Sequence, residues 1–91
     1  MFDAGAPPIP LGHGKAGLCG VVVKVGEGAG DHLASELERR LLEIGFVEGA
    51  HVQILHVGVI GGDPLAVKLD DMRVALRRHE ANHILVRVDG P

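Results

Sequence analysis

The sequence predicts a mainly β fold: a small closed barrel of about five strands, with one inserted α-helix and a short helical turn before the last strand. Three observations lead there. Short runs rich in Val, Ile and Leu alternate with period two along most of the chain, a single stretch repeats with helical spacing, and Gly, Pro or Asp fill the intervals. With 91 residues the chain makes one domain, and an open sheet of that size would leave apolar faces and edges uncovered. Closure removes both exposures.

Residues 1 to 14, MFDAGAPPIPLGHG, are Pro-rich and without periodicity, so they predict a flexible arm ahead of a domain at 15 to 89. Leu18, Val21, Val22, Val23 and Val25 form the first strand, broken or bulged at Gly20. Cys19 within it reads as a buried, chemically idle thiol. Gly26, Gly28 and Gly30 end the strand in a flexible turn; GEGAG lacks the last interval of a dinucleotide fingerprint and the Lys-Ser/Thr of a P-loop.

Asp31 then caps a helix to about Ile44, whose Leu33, Ala34, Leu37, Leu41 and Ile44 form one apolar stripe. Leu42 lies about a third of a turn from Leu41, outside that stripe and beside the charged face built from Glu36, Glu38, Arg39, Arg40 and Glu43, where it would be an exposed apolar contact. Gly45 stands at the left-handed cap position and Gly49 marks a second turn. Val52 and Ile54 alternate with His51 and Gln53 in the next strand, which continues to Gly58. Gly61-Gly62-Asp63-Pro64 turns the chain into Leu65, Val67 and Leu69, and Asp70-Asp71 turns it again into Met72, Val74 and Leu76. Arg77 to His83 has room for one to two helical turns before Ile84, Val86 and Val88 form the last strand. A barrel of such strands, tightly connected, is SH3-like.

Composition removes several classes of function. Net charge is −3 and the aromatics are Phe2 and Phe46 alone, so there is neither a positive field nor a stacking platform for nucleic acid. A lone Cys19 makes no internal disulfide, and the N-terminal MFDAGAPPIP has Asp3 where a secretory leader would carry Lys or Arg; the expected location is cytoplasmic. No run approaches the roughly 20 apolar residues of a membrane helix, so membrane contact would pass through a partner.

His79-Glu80-Ala81-Asn82-His83 is a literal match to H-E-x-x-H, in which two His on one helical face hold a metal and the Glu serves as base. Zinc peptidases set that motif in a long helix with another ligand further on, whereas strand periodicity resumes here at Ile84. The reading that remains is a surface site: His79 and His83, with Glu80 or a ligand from a neighbouring molecule, binding Zn²⁺ or another transition metal adventitiously and at most bridging a weak homodimer. No cofactor is required.

Three stretches in order, RRLLEIGFVEGAHVQIL (39 to 55), VGVIGGDPLAVKL (57 to 69) and VALRRHEANHILVRV (74 to 88), resemble the ferrous iron transport protein A family, FeoA. The resemblance implies a cytosolic SH3-like barrel, without enzymatic activity, that assists FeoB, the membrane ferrous iron transporter with a GTPase domain on its cytoplasmic side. It places Gly45, Gly49, Gly62, Asp63 and Pro64 at turns, and Leu76, Arg77, Glu80 and Ala81 in the closing motif. Glu48 departs from the pattern, standing where many members have Pro, and the loop GEGAGDHLASE is longer than usual.

For contact with such a partner the expected residues are Leu42 and Phe46 at the helix end, with Leu41, Arg39 and Arg40 beside them. Arg77-Arg78, like Arg39-Arg40, reads as solvated charge first and as a contact to a GTPase's acidic patches second. The alternative function is a metal-responsive regulatory domain acting in trans, because metal-dependent repressors carry a similar barrel at their C-terminal end; a separate DNA-binding element would be needed. Without Trp or Tyr, the aromatic groove that grips proline-rich peptides is not available.

Overall fold

The computed structural model describes residues 7–26 and 32–89. In chain order they form β1 (Ile9–Pro10), a 3-10 turn (Leu11–His13), β2 (Cys19–Val25), α1 (His32–Ile44), β3 (His51–Ile60), β4 (Asp63–Leu69), β5 (Met72–Leu76), α2 (Arg78–Ala81) and β6 (Ile84–Val88). The strands make one antiparallel sheet in the order β1-β6-β2-β3-β4-β5.

Alternation of side chains across each strand decides what is buried. Val22, Val52, Ile54, Leu65, Val67, Leu69, Leu76, Ile84 and Val86 turn to one face and form the core, joined by Leu41 from α1 and Phe46 just beyond it. Such a sheet, its inner face buried, curls into an SH3-like barrel that is not fully closed: β1 and β5 do not pair, so two edges remain where the sequence led us to expect none. Gly45 adopts φ 130°, and Phe46 N–H returns to the Leu41 carbonyl at 3.1 Å. That reversal drops Phe46 into the core. Asp70 takes φ 52° in the two-residue turn between β4 and β5, its N–H donating to the His51 carbonyl at 2.8 Å and its Oδ1 accepting from His51 N–H at 3.1 Å.

Several expectations need correction. The segment read as an arm belongs to the fold from Ile9 onward: Ile9 pairs with Val86, Pro10 pairs with Leu85, and Leu11 is fully buried. A strand of two residues carries no periodicity, and Pro10 is tolerated because β1 lies at the sheet edge. Gly20 is not a bulge; it pairs with both Val52 and Val88, and the register shift falls between Val22 and Lys24. Glycine is required at position 20 because a Cβ there would sit 2.5 Å from the Arg87 carbonyl oxygen. The turn before β4 is Gly61-Gly62 alone, at φ 66° and 76°, with Asp63 and Pro64 already in the strand. Cys19 is exposed, on the outer face of β2. The expected Asp31 cap, Gly28, Gly30 and the side chains of Leu33 and Ala34 lie outside the described residues.

Candidate functional site

Two of the stretches that carry the family resemblance meet at Arg78. Its Nε donates to the Gly62 carbonyl at 2.9 Å, and its Nη1 donates to the carbonyls of Gly12 at 2.7 Å and Gly14 at 3.2 Å. Its backbone N–H donates to Asp63 Oδ1 at 2.7 Å. Arg78 is the first residue of α2, so Asp63 satisfies one of the amide groups that a helix N-terminus leaves open. Arg77 N–H is held by Glu80 Oε1 at 2.9 Å from within the same turn. GGDP and ALRRHEA are thus the two halves of one joint, and Arg78 extends it to the segment after β1. The reading of Arg78 as a solvated charge is overturned: a planar guanidinium with several donors fits three converging carbonyls as no other side chain does. Nothing local to RRH announces those acceptors, which lie 16 and more residues away in sequence.

At its C-terminal end α1, the longer of the two α-helices among the described residues, presents the expected partner residues unequally. Leu42 is 47% exposed, with Arg39 and Arg40 exposed beside it, whereas Leu41 and Phe46 are 1% and 0% exposed and belong to the core. Leu41 and Phe46 are therefore removed from the contact set. The reason is the Gly45 reversal, which turns Phe46 inward; it turns Val47, the next residue, outward to 48% exposure. A cleft of about 370 Å³ lies nearby, lined by Ile44, Gly45, Leu69, Met72 and the acids Asp70 and Asp71. An exposed Leu with Arg39 one turn before it on the helix, and Val47 beyond it, is suited to an apolar contact flanked by acidic groups.

His79, Glu80 and His83 do not assemble as a metal site. α2 ends at Ala81, and His83 N–H bonds to the Glu80 carbonyl three residues back, so the last turn is tightened and the two His lose the i, i+4 relation. Glu80 is occupied at Arg77, and His83 Nδ1 lies 3.2 Å from Glu38 Oε2 on α1. Among the described residues no group of three or more His, Cys, Asp or Glu is placed to hold a metal ion. The His83–Glu38 contact has a structural use instead, because Gly26 N–H also donates to the His83 carbonyl at 2.7 Å and the Glu38 carboxylate lies against Gly26. One junction ties α1, the end of β2 and the start of β6.

Among the described residues the β3–β4 hairpin holds the most exposed large apolar side chains, Val59 at 98% and Ile60 at 82%. Sequence reasoning missed them because it ended the strand at Gly58, whereas β3 runs on to Ile60. Register shifts between Ile54 and His56 and between Val57 and Ile60 break the alternation and turn these side chains out. No helix among the described residues is long and apolar enough to cross a membrane.

Comparison with known proteins agrees with this architecture. No curated protein matches the chain significantly. Among solved structures, a FeoA-like protein from Clostridium acetobutylicum is 25% identical with a TM-score of 0.76, covering 91% of this chain and 88% of its own. Stenotrophomonas maltophilia FeoA complexed with zinc, described as a procaryotic SH3 domain protein, is 35% identical with a TM-score of 0.69, covering 90% and 91%. A manganese-dependent transcriptional repressor shares the fold at 20% identity and a TM-score of 0.75, this chain spanning 43% of its length. The FeoA domain model matches residues 9–88, from the first residue of β1 to the last of β6, and the chain belongs to the FeoA domain family.

Proposed function

We propose that this chain is a non-enzymatic accessory protein of bacterial ferrous iron uptake, binding the cytoplasmic, GTPase-containing part of a FeoB-type transporter and supporting or regulating it. It works in the cytoplasm and reaches the inner membrane through that partner. Family membership supports the iron-uptake role, and the observation that carries the contact is Leu42, an apolar side chain exposed on α1 with the exposed Arg39 one turn before it. Apolar anchors ringed by charge are the usual centres of protein contacts, and arginines draw an acidic partner surface to them.

The test is a pull-down of the transporter's cytoplasmic domain by this protein and by Leu42→Asp, with and without guanine nucleotide. Loss of capture in Leu42→Asp with an unchanged thermal melt supports the reading. Absence of capture by the parent protein in any nucleotide state and at low salt refutes it. The transporter domain's GTP hydrolysis rate with and without this protein then separates regulation of turnover from a tethering role.

A further inference from the structure

The outer face of the β4–β5 hairpin carries a feature unrelated to the helix. Lys68 and Arg73 occupy directly opposite positions in the β4–β5 register. Leu65, Val67, Leu69 and Leu76 of these strands are buried, so the alternate residues Lys68, Arg73 and Ala75 face solvent, and all three are exposed. Arg77 follows on the same side, also exposed, in extended conformation at φ −70° and ψ 151°. Like charges set opposite each other destabilise a sheet. Neither Lys68, Arg73 nor Arg77 has a side-chain hydrogen bond or ion pair among the described residues. The nearest acids offer limited relief: Asp70 is turned to His51 N–H, Glu80 to Arg77 N–H, and Asp71 stands in the turn. In a chain of net charge −3, this local excess of cations is not a by-product of composition.

β5 is also the last strand of the sheet, with β4 as its one hydrogen-bonded neighbour. With a two-residue turn, Leu69 and Met72 form the hydrogen-bonded pair, and alternation leaves Lys68–Arg73 and Ala66–Ala75 as the pairs without mutual bonds. The N–H and C=O groups of Arg73 and Ala75 therefore point away from β4, along the open edge. Small side chains at Ala66 and Ala75 leave space above that edge between the cations.

We propose that the free edge of β5 adds an extended acidic segment of another protein as a further strand. Main-chain bonds to Arg73 and Ala75 give the register, and carboxylates four residues apart on the added strand face Arg73 and Arg77, with Lys68 behind them. A second copy of this chain is not the occupant, because pairing two β5 edges would set arginines against arginines; the same charges that block self-pairing select an acidic strand. The surface is separate from Leu42 on α1, so Leu42→Asp leaves it intact.

The probe is a fluorescent peptide of about ten residues alternating Glu and Thr, followed by anisotropy, with a Lys-for-Glu counterpart and a single-stranded oligonucleotide of equal length as controls. Binding is expected at low salt, weakening as salt rises, with amide shifts in NMR spectra centred on Arg73 and Ala75. Charge reversal in Lys68→Glu/Arg73→Glu should weaken it at least about tenfold, and so should Ala75→Pro, which removes an outward N–H that an edge strand can lose without unfolding. Binding that survives Ala75→Pro in a folded variant, shifts that avoid Arg73 and Ala75, equal binding of the Lys peptide, or equal competition by the oligonucleotide would each overturn the proposal.

Discussion

Arg78→Met keeps most of the aliphatic stem of the side chain and removes the guanidinium that joins three segments. Two strong charged bonds disappear, Nε to Gly62 at 2.9 Å and Nη1 to Gly12 at 2.7 Å, together with a weaker shared bond to Gly14 at 3.2 Å. Hydrogen bonds to charged groups contribute about 1.5–3 kcal/mol each, so a dry site would lose about 3–6 kcal/mol. The site is part-buried, and water can reach some of the freed carbonyls, which brings the expected loss to about 2–3 kcal/mol. For a domain of this length that is a fall in melting temperature of about 10–20 °C. Urea unfolding followed by circular dichroism measures it, with an unchanged slope expected because the amount of surface exposed on unfolding stays the same. Arg77→Met is the control, since the Arg77 side chain is exposed and its role in the turn is carried by the backbone; its effect should stay within about 0.5 kcal/mol. Arg78→Lys should recover less than half of the loss, because one ammonium cannot face three separated carbonyls as the planar fork does. A loss below about 0.5 kcal/mol in Arg78→Met would refute the reasoning and return Arg78 to the class of solvated cations.

Other outcomes separate surface from core. Leu42→Asp should melt within about 0.5 kcal/mol of the parent, whereas Phe46→Asp places a carboxylate where the structure has a fully buried ring and should not fold; circular dichroism distinguishes them at once. Leu11→Ala should destabilise the protein by about 2–4 kcal/mol in urea titrations, and deleting residues 1 to 14 by more, since it also removes the β1 pairing and the Gly12 and Gly14 acceptors of Arg78. Cys19 should react with an aromatic disulfide reagent without denaturant, at the rate of an accessible thiol.

The strands and helix that could be read from sequence were those in which one periodicity runs unbroken and a glycine or aspartate marks the end. Leu65, Val67 and Leu69 alternate without interruption, and β4 lies where they place it. Leu37, Leu41 and Ile44 repeat at helical spacing up to Gly45, and α1 ends at Ile44. Legibility failed where position depends on a distant partner. Ile9-Pro10 is a strand only because Val86 and Leu85 lie beside it, and Phe46 is buried only because the chain reverses at Gly45. Of the candidate site, Leu42's exposure followed from its angle on the helix, an intrinsic property of α1. His79, Glu80 and His83 are not brought together as a three-ligand set because that reading assumed ideal helix geometry over a stretch whose helix is four residues long.

The joint at Arg78 also bears on where partner recognition can reside. Asp63 is spent on the Arg78 backbone N–H, the Arg78 guanidinium on the Gly62, Gly12 and Gly14 carbonyls, Glu80 closes the α2 turn, and Ala81 is fully buried. These residues of the GGDP and ALRRHEA stretches are therefore consumed by architecture, and changing them tests folding before it tests function. Surfaces left for contact are those whose side chains the joint does not use: Leu42 with Arg39 and Arg40 on α1, the cationic edge of β5, and Val59 with Ile60 at the hairpin tip. None of the three shares a side chain with the joint, so each can be altered singly without disturbing the barrel, and their effects on binding should be separable and close to additive.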